Sequence, residues 1–148
     1  MGRFMTVLAD RVERVNPSFT LEITSRAAEL VSQGVDVIDF SAGQPDFNTP
    51  LNIREAAVKA MDSGKTKYTA GAGTIELREA VCTKLYRENS LKINPNEVLI
   101  SNGEKQSLYL ACQALFQASD EVLIFKPYWV SFPEFVTLSD ANPIIVKT

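Results

Sequence analysis

The 148-residue chain contains no histidine, and this absence excludes a great deal of chemistry. Without an imidazole the segment holds neither a Ser-His-Asp triad nor a histidine metal site. Cysteine is scarce: Cys82 and Cys112 make no metal-binding spacing. Each falls in a predicted helix and reads as a reduced, buried thiol of a cytosolic protein. There is no excess of positive charge, since 15 Lys and Arg stand against 18 Asp and Glu for a net charge of −3. The charges are interspersed, so no basic stripe is available for nucleic acid. No apolar run is long enough for a signal-peptide core or a membrane span. The opening Met1-Gly2-Arg3-Phe4-Met5-Thr6 fits the loose N-myristoylation pattern, but nothing polybasic follows to supply a second membrane signal. The expectation is a soluble, cytoplasmic protein. What is present is globular in character, 45% hydrophobic and 22% charged, in a chain long enough for one domain with a sizeable core.

Residues 1–17 carry mixed charge and little apolar periodicity, and read as an arm or frayed helix ending at Asn16-Pro17. From Ser18 a helix is predicted, with Ile23, Ala27, Leu30 and Val31 on one face and Gly34 as its C-terminal cap. Val35–Phe40 alternates as a short strand does. Ser41–Pro50 is dense in turn formers, and Gly43 within it would let a ligand approach the backbone. Thr49 is expected to cap the next helix with Pro50 in its first turn, and Ile53, Ala56, Ala57, Ala60 and Met61 form its apolar face. The loop Gly64–Gly73 is polar and glycine-rich around a lone tyrosine, Tyr68. No strand precedes Gly71 and Gly73, and Glu76 stands where a third glycine would be needed, so this is not a dinucleotide fingerprint. A helix over about 74–89 then buries Leu77, Ala80, Val81 and Leu85.

From Glu97 the order reads β-α-β-α-β, the pattern of a parallel α/β sheet. A strand at 97–101 passes through Asn102-Gly103 into a helix apolar on nearly every side, which such a fold covers on both flanks. A second strand at 121–125 runs into Pro127-Tyr128-Trp129. A helix over about 130–138 leads to a third strand near Pro143–Val146. A glycine in a tight strand-to-helix turn aims backbone N–H groups and the positive end of the helix dipole at one spot, which suits a phosphate. An aromatic ring after the second strand suits a flat ligand. The pair suggests a phosphorylated aromatic cofactor.

With these motifs placed, the chain resembles the N-terminal part of a fold-type-I, pyridoxal-phosphate-dependent aminotransferase of class I, closest to the bacterial aspartate aminotransferases. The resemblance spans essentially the whole chain. It rests on Ser41-Ala42-Gly43-Gln44-Pro45-Asp46-Phe47, Lys65-Thr66-Lys67-Tyr68, Gly73-Thr74-Ile75-Glu76-Leu77-Arg78-Glu79-Ala80, Asn102-Gly103-Glu104-Lys105-Gln106 and Pro127-Tyr128-Trp129-Val130-Ser131. It implies that Gly103, Glu104 and Lys105 hold the phosphate of pyridoxal 5'-phosphate and that Trp129 stacks on its pyridine ring beside the substrate. Gly43 would offer its N–H to the substrate α-carboxylate. Tyr68 would reach the phosphate of the partner subunit's cofactor in a homodimer, on which the N-terminal arm also packs. Where relatives commonly have a second glycine, this chain has Glu104, whose carboxylate must turn to solvent to avoid repelling a phosphate.

The resemblance further implies residues 1–46 as arm and small-domain segment and 47–148 as the beginning of the large cofactor-binding domain. The family's Schiff-base lysine, the aspartate on the pyridine nitrogen and the arginine gripping the substrate would all lie beyond Thr148, so no catalytic residue is expected in this segment. The full protein would exchange an amino group between aspartate, or a related or aromatic amino acid, and a 2-oxo acid. The segment alone would be catalytically incomplete, with uncovered sheet edges. For the isolated chain two other readings stay open: a non-catalytic α/β module binding phosphate or cofactor, and an interaction remnant that caps a partner chain.

Overall fold

The computed structural model describes residues 8–148; the myristoylation-like start and the first seven residues of the expected arm lie outside them. Helices are α1 (Asp10–Glu13), α2 (Phe19–Ser32), α3 (Leu51–Asp62), α4 (Ile75–Asn89), α5 (Glu104–Leu115) and α6 (Phe132–Leu138). The strands are β1 (Glu121–Phe125) and β2 (Asn142–Val146), and a 3-10 turn spans Pro95–Glu97. The chain divides into two compact units: one comprises the residues up to Gln44 together with Leu108–Thr148, the other Pro45–Ser107. None of the helices is long and apolar enough to cross a membrane among the described residues.

In the first unit β1 and β2 pair in parallel, from Glu121 opposite Asn142 to Phe125 opposite Val146. The connection between them is α6, the crossover that a parallel pair requires. Its Val136, only 3% exposed, packs with Ile124 and Ala141 into a small core flanked by Phe116, Val122, Tyr128 and Phe132. Burial of side chains such as Val136 and Ile124 contributes about 1.5–3 kcal/mol each. Alternation along β1 sends Leu123 and Phe125 to the opposite face, and both are exposed. On α5, Leu110 and Leu115 are likewise exposed, so the expected outer cover of this helix is absent among the described residues. Cys112 on the same helix is half-buried, and that burial pushes its thiol up, away from the nucleophilic thiolate.

The arm is folded on α6. Asn16 donates through its N–H and its side-chain amide to the Glu134 carboxylate, both at 3.1 Å. Arg14 pairs with Asp140 at 2.5 Å. α2 starts where Ser18 accepts the Leu21 N–H, and Gly34 follows its end at φ +82°. The 35–40 stretch, expected as a strand, forms no ladder. Alternation gives a strand only when a neighbouring strand takes its N–H and C=O groups, and among the described residues no strand pairs with it. Phe40 and Ile38 are accordingly exposed.

In the second unit α4 begins with Thr74 accepting the Leu77 N–H, a cap worth about 1 kcal/mol. α3 departs from expectation at its start: Pro50 is itself the N-cap and Thr49 makes no capping bond. The apolar stripe of α3 is uncovered, with Ile53 and Met61 exposed. The strand expected at 97–101 is also corrected. The 3-10 turn occupies its start, and the chain then runs extended from Val98 without a ladder. In the first unit α6 starts at Phe132, later than expected, because Val130 and Ser131 form a turn ahead of it.

Candidate functional site

The turn at Gly103, expected to hold a phosphate, belongs to the second unit. Gly103 holds φ +83° and has nothing within 4 Å of the position a Cβ would take. A positive φ is what a chain needs to turn sharply into α5, and glycine adopts it without strain. Around it the backbone is braced. The Asn102 N–H donates to Gln106 Oε1 at 2.5 Å, and the Gly103 N–H donates to the Ser101 carbonyl at 2.9 Å. The Ser101 hydroxyl donates to the Gly103 carbonyl at 3.1 Å and shares a short hydrogen bond with the Ser107 hydroxyl. The first N–H groups of a helix have no intrahelical carbonyl to meet and sit at the positive end of the dipole. Open space over Gly103 beside such donors fits a phosphate group. Glu104 is exposed, so its carboxylate has solvent to turn into, and Lys105 follows on the same first turn.

The sequence motif includes Gln106 without a task, and the bracing by Ser101 and Ser107 emerges only in the fold. The four-residue spacing of Asn102 and Gln106 across a helix start was the available signal, because a side chain there reaches back to the backbone preceding the helix.

Tyr68 lies in the same unit, on a loop tied at its base by Lys65 N–H to the Ala60 carbonyl at 3.0 Å. Its side chain is fully exposed, with a relative exposure of 108%, so its hydroxyl is presented to solvent. Gly73, at the far end of the loop, has φ +95° and touches Ile100; its glycine character is structural.

Gly43 and Trp129 fall in the first unit. Nothing lies within 4 Å of the Cβ position of Gly43, which leaves its backbone open to approach. Next to it, the Ser41 hydroxyl exchanges a hydrogen bond with Thr24 at 3.1 Å, and the Ser41 N–H donates to Asp39 at 2.8 Å. The Ser41 hydroxyl and N–H together hold the Asp39 carboxyl below its ordinary value of 3.8. The aromatic pair divides its labour. Tyr128 packs on the Ile124–Val136 core, while Trp129 keeps 46% of its surface exposed. Trp129 therefore lies toward the surface rather than in this core. Gly103, Glu104 and Lys105 are thus brought together in one turn, with Tyr68 in the same unit, whereas Gly43 and Trp129 belong to the other.

The family profile described as aminotransferase class I and II matches residues 35–148. The chain is 50% identical over 141 residues to the bifunctional aspartate aminotransferase and glutamate/aspartate-prephenate aminotransferase of Petunia hybrida, covering 95% of this chain and 29% of that protein. It is 49% identical over 142 residues to the aspartate/prephenate aminotransferase of Cereibacter sphaeroides, covering 96% and 36%. Among solved structures, the aspartate aminotransferase of Thermus thermophilus with maleate superposes at a TM-score of 0.92 and 44% identity, over 97% of this chain and 38% of that one. The chain thus spans about a third of the length of these relatives. The architecture is correspondingly a part of the α/β fold of the fold-type-I aminotransferases. Motifs, fold and relatives agree: the chain belongs to the class I and II aminotransferases, a family whose cofactor is pyridoxal phosphate.

Proposed function

We propose that this chain is the cofactor-seating N-terminal part of an aminotransferase that moves an amino group between aspartate, or a related or aromatic amino acid, and a 2-oxo acid. The observation that carries the reading is the braced turn at Gly103, with open space above it at the start of α5. There the backbone of Gly103, Glu104 and Lys105 holds the cofactor phosphate, and Lys105 adds positive charge. Trp129 stacks on the pyridine ring and walls the substrate, and the Gly43 N–H orients the substrate α-carboxylate. Tyr68 donates to the phosphate bound by the partner subunit of a homodimer; its full exposure supports a task outside its own fold. When bound, pyridoxal phosphate supplies the electron sink that amino transfer needs. The residues of this chain anchor and orient it.

The division at 46/47 into arm with small-domain segment and large domain is part of this reading, as is a cytoplasmic location. So is the incompleteness of the segment, whose lysine partner for the cofactor lies outside it. The exposed apolar faces of α3, α5 and β1 support that incompleteness, because they call for further protein to cover them.

The test supplies full-length protein with pyridoxal phosphate, 15N-labelled aspartate and a 2-oxo acid, and follows the label. Appearance of 15N in the new amino acid is expected, with prephenate and aromatic partners tried in parallel to rank substrates. A chain ending at Thr148 should transfer none. Failure of the full-length protein to transfer label from any of these donors would overturn the reading.

A further inference from the structure

The stretch that carries the phosphate turn forms no ladder, yet it is held at a definite place within the second unit. Ile100 lies against Gly73 so closely that a Cβ added to the glycine would be 2.6 Å from Ile100 Cγ1 and 2.8 Å from its Cβ. The contact is reinforced by the backbone, since the Ile100 N–H donates to the Ala72 carbonyl at 3.0 Å. On the Gly73 side, its own N–H closes a turn on the Ala70 carbonyl at 2.8 Å, and the next residue, Thr74, caps α4. Arg78 of α4 reaches back to the Pro95 carbonyl at 3.1 Å, pinning the 3-10 turn from which the stretch departs. Gly73 is therefore a socket and Ile100 the side chain that fills it.

Resting on the phosphate-seat reading above, we propose that Gly73 and Ile100 are positioning residues for the cofactor phosphate, although neither touches it. From Ile100 the chain reaches Gly103 in three residues, through the bend at Asn102 and Gly103 that the Ser101 and Gln106 hydrogen bonds brace. Relieving a 2.6 Å contact to an ordinary van der Waals separation moves Ile100 by roughly 1 Å. A shift of that size carried to the turn takes an N–H donor from hydrogen-bonding distance of a phosphate oxygen to outside it. The same socket ends the loop that presents Tyr68, so both sets of phosphate donors depend on it.

The experiment compares binding of pyridoxal phosphate and of pyridoxal, which has the same ring without the phosphate, to the full-length protein. It uses wild type, Gly73→Ala, Ile100→Gly and the double variant, with melting temperatures alongside. Gly73→Ala should weaken pyridoxal phosphate by about tenfold, equivalent to 1.4 kcal/mol, and pyridoxal by less than about threefold. Ile100→Gly, which empties the socket without a clash, should reduce the same ratio and carries the test alone if Gly73→Ala does not fold. Adding Gly73→Ala to Ile100→Gly should cost clearly less than adding it to wild type, because the new Cβ then has room. Equal weakening of both ligands, or an unchanged ratio in Ile100→Gly, would overturn the positioning role. A wild type that binds the two ligands equally would instead overturn the phosphate-seat reading itself.

Discussion

Removing one oxygen from Tyr68 separates its functional task from any structural one. The side chain has a relative exposure of 108%, so it buries no apolar area whose loss could destabilise the fold. Tyr68→Phe should change stability by less than about 0.5 kcal/mol, the range of exposed substitutions without partners. If the hydroxyl donates to the partner subunit's cofactor phosphate, it makes a hydrogen bond to a charged group, worth about 1.5–3 kcal/mol. That is roughly 10- to 150-fold in affinity. Absorbance titration of full-length wild type and Tyr68→Phe with pyridoxal phosphate, beside thermal melts of both, reads the two effects separately. If the hydroxyl crosses a dimer interface as proposed, the difference should vanish when the protein is diluted to monomers. Unchanged affinity in the dimer, or a loss that persists in the monomer, would refute the reasoning.

Other perturbations test the scaffold around the site. Val136→Ala removes two methyl groups from the small core of the first unit, where Val136 is 3% exposed. A loss of about 2 kcal/mol is expected in urea unfolding, whereas Leu115→Ala on the exposed side of α5 should cost less than about 0.5 kcal/mol. Asp39 titrates below 3.8 because the Ser41 hydroxyl and N–H hold its carboxylate. Its contribution is therefore present above the unfolded pKa and is lost as pH falls through the lower folded value. In Ser41→Ala the Asp39 titration, followed by NMR, should move up toward the ordinary range while the backbone N–H keeps part of the depression.

The elements that were legible in the sequence are those with their own local signals. α2 and α4 begin at the starts expected after Ser18 and at Thr74, Gly34 follows the end of α2, and β1-α6-β2 is a short self-contained parallel unit. The stretches at 35–40 and 97–101 have strand-like composition but lack a ladder, because a strand is completed by a neighbour and not by its own residues. At the start of α3, Thr49-Pro50 permits two registers, and Pro50 rather than Thr49 takes the N-cap position. At the site, Gly103 ahead of an apolar helix was legible as a turn glycine, and it holds φ +83° at the start of α5. The hold of Gln106 on Asn102 and the socket between Gly73 and Ile100 depend on three-dimensional approach. No spacing rule in a single sequence reports the second of these.

The central claim, that the turn at Gly103 seats a cofactor phosphate, is tested most directly by a crystal structure of the full-length protein soaked with pyridoxal phosphate. The account predicts a phosphate lying over Gly103 with its oxygens about 3 Å from the backbone N–H groups of Glu104 and Lys105, with the Tyr68 hydroxyl of the partner subunit joining them and the Trp129 indole parallel to the pyridine ring. A cofactor whose phosphate lies elsewhere, with the Gly103 turn facing only water, would contradict it.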